Sequence, residues 1–283
     1  MKKYTTNDFE KEFPNDDACL EWIKKHRYPN GIHCEKCQKV TKHHKIKERA
    51  CYSCDYCGTQ VYPTAGTIFH KSATPLRIWF QVIYRMASTR CGVSAKQIER
   101  ETGVTYKTAW RMFKQIRTLF DTSGNPLTGE VEVDETYIGG RRTGKRGRGA
   151  ENKSKVVGAV QRNGKVTAKV VQDVKRSTLV PFVSSEVDRN ATLYTDEFPS
   201  YDTMSRLGYK HHRIEHGAKV YARGCIHTNS IEGFWSLVKR GINGVYHSVS
   251  PHYLQSYINE YTFRYNHRND ETPMFKTFLS RIS

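Results

Sequence analysis

The sequence predicts a multidomain chain in which a small cysteine-rich ribbon and a helical region precede an α/β domain built on a mixed five-stranded sheet. Two Cys-x-x-Cys pairs fall within residues 31–70, helical periodicity runs through residues 74–120, and strand-like and helix-like runs alternate after residue 130. The turn-rich stretch 121–129 separates the last two regions. We therefore expect a helical lead-in over 1–30, a ribbon over 31–70, a helical region over 71–122 and the α/β domain over 130–283.

The chain is strongly basic. Its 46 Lys and Arg residues against 28 Asp and Glu residues give a formal net charge of +18. Such an excess favours a polyanionic partner, because neutralised phosphates release condensed counterions; a basic protein that is merely soluble is the alternative. No stretch approaches the roughly 20 apolar residues of a membrane span, and the N-terminus lacks the apolar run of a secretory signal. We expect a cytoplasmic protein without membrane contact, in which clustered cysteines bind metal rather than form disulfides.

The cysteine spacing is typical of a structural zinc site. Cys34 and Cys37 form one Cys-x-x-Cys pair, Cys54 and Cys57 form the other, and 16 residues separate the pairs. Four thiolates complete the tetrahedral coordination of Zn²⁺, and a site closed by four protein ligands is structural. Cys51 and Cys54 offer an overlapping pair. We favour Cys54 with Cys57 because a glycine and a strand-like run follow them, as in a ribbon.

The segment 94–114 is typical of a helix-turn-helix. Ser94 is placed to cap a first helix, Thr102-Gly103-Val104 to form the turn, and Thr105 to cap a second helix. The second helix is basic, and its spacing fits a helix whose N-terminal residues enter the DNA major groove. An ordinary helical hairpin is the alternative. The side chains expected to face DNA are Tyr106, Lys107 and Arg111.

The α/β domain is predicted from a change in periodicity after residue 130. An Asn-Gly turn at 163–164 indicates a hairpin between the second and third strands. The predicted order is β-β-β-α-β-α-β-α-α, a mixed sheet with helices on its faces. The predicted strands cover 130–138, 155–161, 165–172, 191–195 and 210–215, and the predicted helices cover 179–187, 200–207, 228–240 and 251–265.

Three acidic residues of this domain are candidates for a divalent-metal site. Asp134 lies on the first strand, Asp196 follows the fourth, and Glu232 lies on a helix. Carboxylates that converge in this way can hold two Mg²⁺ ions (or Mn²⁺) for phosphoryl transfer. The alternative is that each is an ordinary solvated surface group. Asn229 shares a helix face with Glu232, and Lys239 follows on the same face as a candidate phosphate contact.

A second basic region follows the first strand of the domain. Residues 141–155 contain seven basic residues and one acidic residue, and the glycines between them allow close approach to a phosphate backbone. We interpret this region as a DNA-contacting loop; a plain solvated loop is the alternative. The expected contacts are Arg141, Arg142, Lys145, Arg146 and Arg148, together with Arg240 beside Lys239.

With these motifs the chain resembles bacterial insertion-sequence transposases that join an N-terminal zinc ribbon and helix-turn-helix to a DDE domain of RNase H-like fold. Nearly all of the chain is covered by the resemblance. Its carriers are the ribbon end Thr64-Ala-Gly-Thr-Ile-Phe, the helix Tyr106-Lys-Thr-Ala-Trp-Arg, Val133-Asp-Glu-Thr-Tyr-Ile-Gly-Gly, Thr195-Asp-Glu, and His227-Thr-Asn-Ser-Ile-Glu-Gly-Phe-Trp-Ser-Leu-Val-Lys-Arg-Gly.

The resemblance implies that Asp134, Asp196 and Glu232 are the acidic triad, with Lys239 as the lysine that follows it. Relatives vary between Glu and Asn at the third ligand, so Asn229 remains an alternative there. It further implies cleavage at the ends of a mobile element and strand transfer into target DNA, by a protein that is a homodimer or larger on DNA and is associated with the nucleoid. The rival hypotheses are a non-catalytic DNA-binding regulator, such as a domesticated transposase, and a metal-dependent nuclease that does not join strands.

Overall fold

The computed structural model describes residues 4–120, 124–139, 153–214 and 227–282. The chain divides into two compact units. One unit comprises Met1–Leu119 together with Asp270–Ser283, and the other comprises Phe120–Asn269. The C-terminal segment therefore belongs to the same unit as the N-terminus, and the units are not simply consecutive in sequence.

The first unit begins with two capped helices and two small antiparallel sheets. The Thr5 hydroxyl and the Asp8 carboxylate form a capping box at the start of the first helix, and the Asn15 side chain caps the second. The first sheet pairs β1 with β2, and the second has the order β3-β4-β5. These elements are α1 (Thr6–Glu12), α2 (Asp16–Arg27), β1 (His33–Cys34), β2 (Lys39–Val40), β3 (His43–Lys45), β4 (Tyr52–Cys54) and β5 (Gln60–Val61).

Four further helices complete this unit: α3 (Leu76–Ser88), α4 (Ala95–Thr102), α5 (Tyr106–Arg117) and α9 (Met274–Leu279). Ser94 and Thr105 cap α4 and α5 as expected, and Gly103 ends α4 in the left-handed conformation at φ 74°. Helix α9 packs on α3 through Phe275, whose ring centroid lies 5.6 Å from that of Tyr84. Aromatic packing thus anchors the C-terminal helix in the first unit.

The second unit is built on one five-stranded sheet with the order β10-β9-β6-β7-β8. Strands β6, β7 and β8 are antiparallel neighbours, whereas β9 runs parallel to both β6 and β10. This mixed sheet with flanking helices confirms the predicted architecture. The elements are β6 (Glu130–Ile138), β7 (Ser154–Gln161), β8 (Val166–Val171), α6 (Arg176–Glu186), β9 (Thr192–Asp196), β10 (Lys210–Ile214), α7 (Asn229–Gly241) and α8 (Pro251–Asn266).

The prediction of a helix over 200–207 is wrong. This segment instead forms two short 3-10 turns, Pro199–Tyr201 and Ser205–Leu207. Tyr201 and Met204 are both fully buried. Their spacing of three residues matches the three residues per turn of a 3-10 helix as well as one α-helical face. Over eight residues the two periods cannot be told apart from sequence.

The two faces of the sheet carry separate cores. Val131 and Val133 of β6 pack in the core that includes Leu179 and Val183 of α6. Ile138 at the end of the same strand packs in the core formed with α7 and α8. Because side chains alternate along a strand, Glu132 and Asp134 lie on the α7 side of the sheet. Glu132 and Asp134 are therefore directed at the helix that carries Glu232.

Candidate functional site

The four predicted zinc ligands come together in the first unit. The Sγ atoms of Cys34, Cys37, Cys54 and Cys57 all lie within 4.8 Å of one another. Two of these separations are 3.4 Å, between Cys34 and Cys57, and 3.9 Å, between Cys37 and Cys54. A tetrahedral zinc site with Zn–S bonds of about 2.3 Å requires S–S separations of about 3.8 Å. Cys51 lies outside this group, with its Sγ 3.9 Å from Oε1 of Gln60.

The electrostatics of the cysteine cluster also fit a cation. The Thr59 hydroxyl, 3.2 Å from the sulfur, lowers the pKa of Cys57 to about 6. Hydrogen bonding to Cys57 and burial raise the pKa of Cys37 to about 12. Cys37 and Cys57 therefore do not ionise at the same pH on their own, and a bound divalent cation would favour the thiolate form of both. Gly58 follows at φ 72°, the left-handed conformation expected of the turn.

Two of the three candidate carboxylates are placed by strand register. The parallel pairing of β6 with β9 sets Glu130 beside Thr192 and Glu132 beside Tyr194. The pairing ends there; Asp134 lies two residues further along β6, Asp196 lies two residues further along β9 at its end, and the Asp196 charge raises the pKa of Asp134. Both side chains project to the same face, because each lies two residues beyond a paired position.

Glu232 reaches the same place from α7. It lies in the first turn of the helix, is exposed, and accepts a hydrogen bond of 3.0 Å from the Thr228 hydroxyl. An open cavity of about 740 Å³ lies beside it, and Asp134 is part of the cavity wall. The full lining is Asp134, Glu135, Thr136, Glu232, Trp235, Ser236, Lys239, Arg240, Asn243 and Gly244.

The three carboxylates interact electrostatically. Burial, followed by the charges of Glu135, Asp196 and Glu232, raises the pKa of Asp134 from 3.8 to about 7. A carboxyl group that resists ionisation among other carboxylates is typical of a site built for a cation. Carboxylate oxygens are the ligands that Mg²⁺ prefers, so the donor set fits that ion.

Some of the predicted supporting residues line this cavity and one does not. Lys239 and Arg240 line it, and partial burial lowers the pKa of Lys239 although the Asp134 charge opposes that shift. Asn229 is the exposed first residue of α7 and is absent from the described lining. Asn243, which the sequence did not single out, is part of the lining. It lies just beyond α7, where no recognisable pattern marked it.

Sequence reasoning also missed a buried carboxylate next to the candidate site. Glu132 is fully buried and bonded to Arg162 and to the start of α7. One signal of its position was present in the sequence. Glu130, Glu132 and Asp134 alternate with valines along the strand, so Glu130 and Glu132 share a face of the sheet with the candidate ligand Asp134. Arg162 belongs to the predicted turn Arg162-Asn163-Gly164, and the turn pattern does not indicate this contact.

The predicted DNA contacts fall in two groups. In the first unit, Tyr106 is 44% exposed, and Lys107 and Arg111 are exposed on α5. Ala109, Met112 and Phe113 form the buried side of that helix. Its role in binding DNA remains a prediction. The loop residues of the second group lie outside the described residues: Arg141, Arg142, Lys145, Arg146 and Arg148.

Comparisons with known proteins agree on one family. Residues 126–266 match the ISXO2-like transposase domain, and residues 14–60 match the transposase zinc-ribbon domain. A relative described as an uncharacterized protein in transposable element ISH50 of Halobacterium salinarum is 26% identical over 273 residues, which cover 90% of this chain and 92% of that protein. An uncharacterized transposase-like protein of Haemophilus influenzae is 30% identical over 102 residues, covering 36% of this chain and 81% of that protein.

Two solved structures match this chain at low structural and sequence similarity. One is the simian T-cell lymphotropic virus intasome in complex with PP2A regulatory subunit B56 gamma, at a TM-score of 0.34, 12% identity, and coverage of 63% of this chain and 66% of that one. The other is a pre-cleavage Mos1 transpososome, at a TM-score of 0.30, 11% identity, and coverage of 66% and 73%. Separately, the described part of the chain contains no helix long and apolar enough to cross a bilayer.

Proposed function

We propose that this chain, which belongs to the insertion-sequence transposases that carry an N-terminal zinc ribbon, binds the ends of its element and catalyses Mg²⁺-dependent strand cleavage and strand transfer into target DNA. The observation that carries the proposal is that Asp134 and Asp196 each lie two residues beyond the last paired position of the parallel strands β6 and β9, close enough for the Asp196 charge to raise the pKa of Asp134. Glu232, on α7, borders the same cavity as Asp134.

In this proposal Asp134, Asp196 and Glu232 hold two divalent cations. When bound, such ions would activate the attacking water or 3′-hydroxyl and would stabilise the leaving oxygen. Cleavage forms a bond from a water oxygen to phosphorus and breaks the bond from phosphorus to the 3′-oxygen. Strand transfer repeats the displacement with the freed 3′-hydroxyl as the nucleophile, so no external energy source is required. Lys239 and Arg240, on the cavity wall, bind phosphate oxygens and orient the scissile bond.

The first unit recognises DNA in this proposal. The four cysteines hold a structural Zn²⁺ that fixes the ribbon, and α5 presents Tyr106, Lys107 and Arg111 to the element ends. The basic residues of the segment 141–155 contact the DNA backbone. Two ends have to be joined in one reaction, so the active species is a homodimer or larger assembly on DNA, acting in the cytoplasm at the nucleoid.

A cleavage and joining assay separates this function from its rivals. Purified protein is mixed with Mg²⁺, DNA that carries the element's own ends, and a target plasmid, and wild type is compared with Asp134→Asn. We expect both nicked and joined products from wild type, and a loss of at least about 100-fold in both for the variant, because a metal ligand should matter more than the 10–100-fold typical of its supporting groups. Glu197→Gln, an exposed neighbour of Asp196, is the matched control and retains activity.

Each rival predicts a different result. Binding without cleavage by wild type indicates a regulator, and cleavage without joined product indicates a nuclease. Retained cleavage by Asp134→Asn removes that residue from the proposed site.

A further inference from the structure

The carboxylate of Glu132 is buried beside the start of helix α7. The side chain has no exposed surface. Its Oε2 accepts hydrogen bonds from the backbone amides of Ser230, at 2.8 Å, and Ile231, at 3.0 Å. Its Oε1 accepts one from the Ser230 hydroxyl at 3.1 Å. A residue of strand β6 therefore binds the first free amides of a helix almost 100 positions later in the chain.

These contacts replace the usual cap of α7. The N-cap residue Thr228 directs its hydroxyl to the Glu232 carboxylate at 3.0 Å and makes no side-chain bond to the helix amides. The first amides of a helix need an acceptor and carry partial positive charge. Glu132 supplies both the acceptor and the opposite charge, so the start of α7 is tied to β6 rather than capped by its own chain.

Arg162 completes the arrangement and compensates the buried charge. Its Nε donates to Glu132 Oε1 at 2.8 Å, and its Nη2 donates to the carbonyl oxygen of His227, just before α7, at 2.9 Å. The guanidinium lies 4.1 Å from the ring centroid of Tyr194 on β9. One arginine thus connects the hairpin turn, strands β6 and β9, and the segment that leads into α7.

We propose that Glu132 is a positioning residue for the metal site, an inference that rests on the proposed function. It fixes the start of α7 so that Glu232, two residues into the helix from Ser230, faces Asp134. Asp134 lies two residues after Glu132 on the same strand and the same face, about 7 Å away. The anchor of the helix and a ligand of the site are therefore parts of one rigid strand. A buried ion pair of this kind contributes little to stability compared with apolar residues, which is consistent with a positional role.

The test compares Glu132→Gln with Glu130→Gln. Glu130 lies on the same strand and also bonds Arg162, at 3.3 Å, but half of its side chain is exposed, and it bonds Arg162 and Tyr194 rather than the start of α7. Three measurements are made on each full-length protein: the Mg²⁺ concentration that gives half-maximal nicking, the affinity for element-end DNA without metal, and hydrogen exchange of the amides in 228–236.

For Glu132→Gln we expect faster exchange at the start of α7, unchanged DNA affinity, and a half-saturating Mg²⁺ concentration about 10–100-fold higher, with nicking restored at high Mg²⁺. Glu130→Gln should match wild type in all three measurements. A residue that only stabilises the fold would lower activity at every Mg²⁺ concentration alike. Ser230→Ala removes one bond to Glu132 without burying an unpaired charge, and it should change the same quantities in the same direction by less.

The inference is overturned if folded Glu132→Gln has the wild-type Mg²⁺ requirement or wild-type exchange at 228–236. Should Glu132→Gln fail to fold, the same two results for Ser230→Ala overturn it. Absence of Mg²⁺-dependent nicking by wild type contradicts the proposed function instead, and in that case the exchange data alone still decide whether Glu132 holds the helix.

Discussion

Asp134 is a carboxyl group that the folded chain holds in an unfavourable environment. Burial and three neighbouring acidic residues raise its pKa to about 7. Structural ion pairs usually have the opposite effect on acidic groups, because a partner cation lowers the pKa. The nearby cation, Lys239, attracts Asp134 without offsetting burial and repulsion. The folded protein without metal thus retains a repulsion that a bound cation would relieve.

The first prediction is that Asp134→Asn stabilises the metal-free protein. The pKa of Asp134 is about 7 in the folded chain and 3.8 in the unfolded chain. Between these values the folded state binds the proton and the unfolded state does not, so the contribution of this group favours folding at low pH and is lost as pH rises to about 7. At pH 8 the variant should be more stable by on the order of 2 kcal/mol. Thermal unfolding from pH 4 to 8 without added Mg²⁺ measures it, and no chelator is used because a chelator would also remove the zinc ion of the ribbon.

The same experiment contains its own control. Glu197→Gln removes an exposed carboxylate next to Asp196 and should leave the pH profile unchanged. Added Mg²⁺ should stabilise wild type and not Asp134→Asn. A lower stability of Asp134→Asn at pH 8 would contradict the electrostatic account of this residue.

Helix α7 is the element on which the site depends most, because it carries Glu232, Lys239 and Arg240. It can pack closely on the sheet at Gly158 of β7, which pairs with Asp134. A Cβ atom at Gly158 would lie 2.7 Å from Trp235 Cζ2 and 3.2 Å from Ile231 Cδ1. Because Gly158 has no side chain, α7 can lie close to the sheet next to the candidate ligands.

The second prediction concerns this contact. Gly158→Ala should lower the free energy of unfolding by about 1–3 kcal/mol, because α7 has to move outward. Gly233→Ala is the matched control on α7 itself, where an added Cβ meets nothing within 4 Å. It should be neutral or stabilising by about 0.5–1 kcal/mol, because Ala favours helix over Gly. Urea unfolding measures both, and equal effects would contradict the close packing.

The zinc ribbon gives the third prediction, also at the level of an element. Purified wild type and Cys51→Ser should each contain one Zn²⁺ per chain, since Cys51 lies outside the four-sulfur group. Cys57→Ser should lose the ion and unfold the ribbon. Metal analysis with near-ultraviolet circular dichroism distinguishes the two variants. Loss of zinc from Cys51→Ser, with retention in Cys57→Ser, would show that the other register is used.

The elements were more predictable than the contacts between them. Alternation along β6 and the position of Asp196 at a strand end identified two candidate ligands, but the sequence does not show that β6 and β9 are adjacent and parallel in the sheet. Glu132 was missed because its partners, Ser230 and Ile231, are almost 100 residues distant. A strand pattern shows which face a side chain occupies and does not show which helix covers that face.

For the whole molecule, the charge of +18 gives the fourth prediction. Affinity for random duplex DNA should fall steeply with salt, by about 10³-fold or more between 50 and 200 mM if six or more phosphates are contacted. Fluorescence anisotropy measures the slope of affinity against salt concentration.

Lys107→Ala combined with Arg111→Ala should weaken binding to element ends more than to random duplex, if α5 reads bases. An equal loss on both DNAs would restrict α5 to backbone contacts.

The central claim is that three carboxylates hold the divalent ions of the reaction, and a metal switch tests it most directly. Asp134→Cys, Asp196→Cys and Glu232→Cys are assayed for nicking and joining in Mg²⁺ and in Mn²⁺, with Glu197→Cys as the control. Mn²⁺ accepts a sulfur ligand more readily than Mg²⁺ does. We predict that each of the three variants is inactive in Mg²⁺ and regains activity in Mn²⁺, whereas the control is active in both. If any of the three variants is as active in Mg²⁺ as the wild-type protein, the residue substituted in it is not a metal ligand.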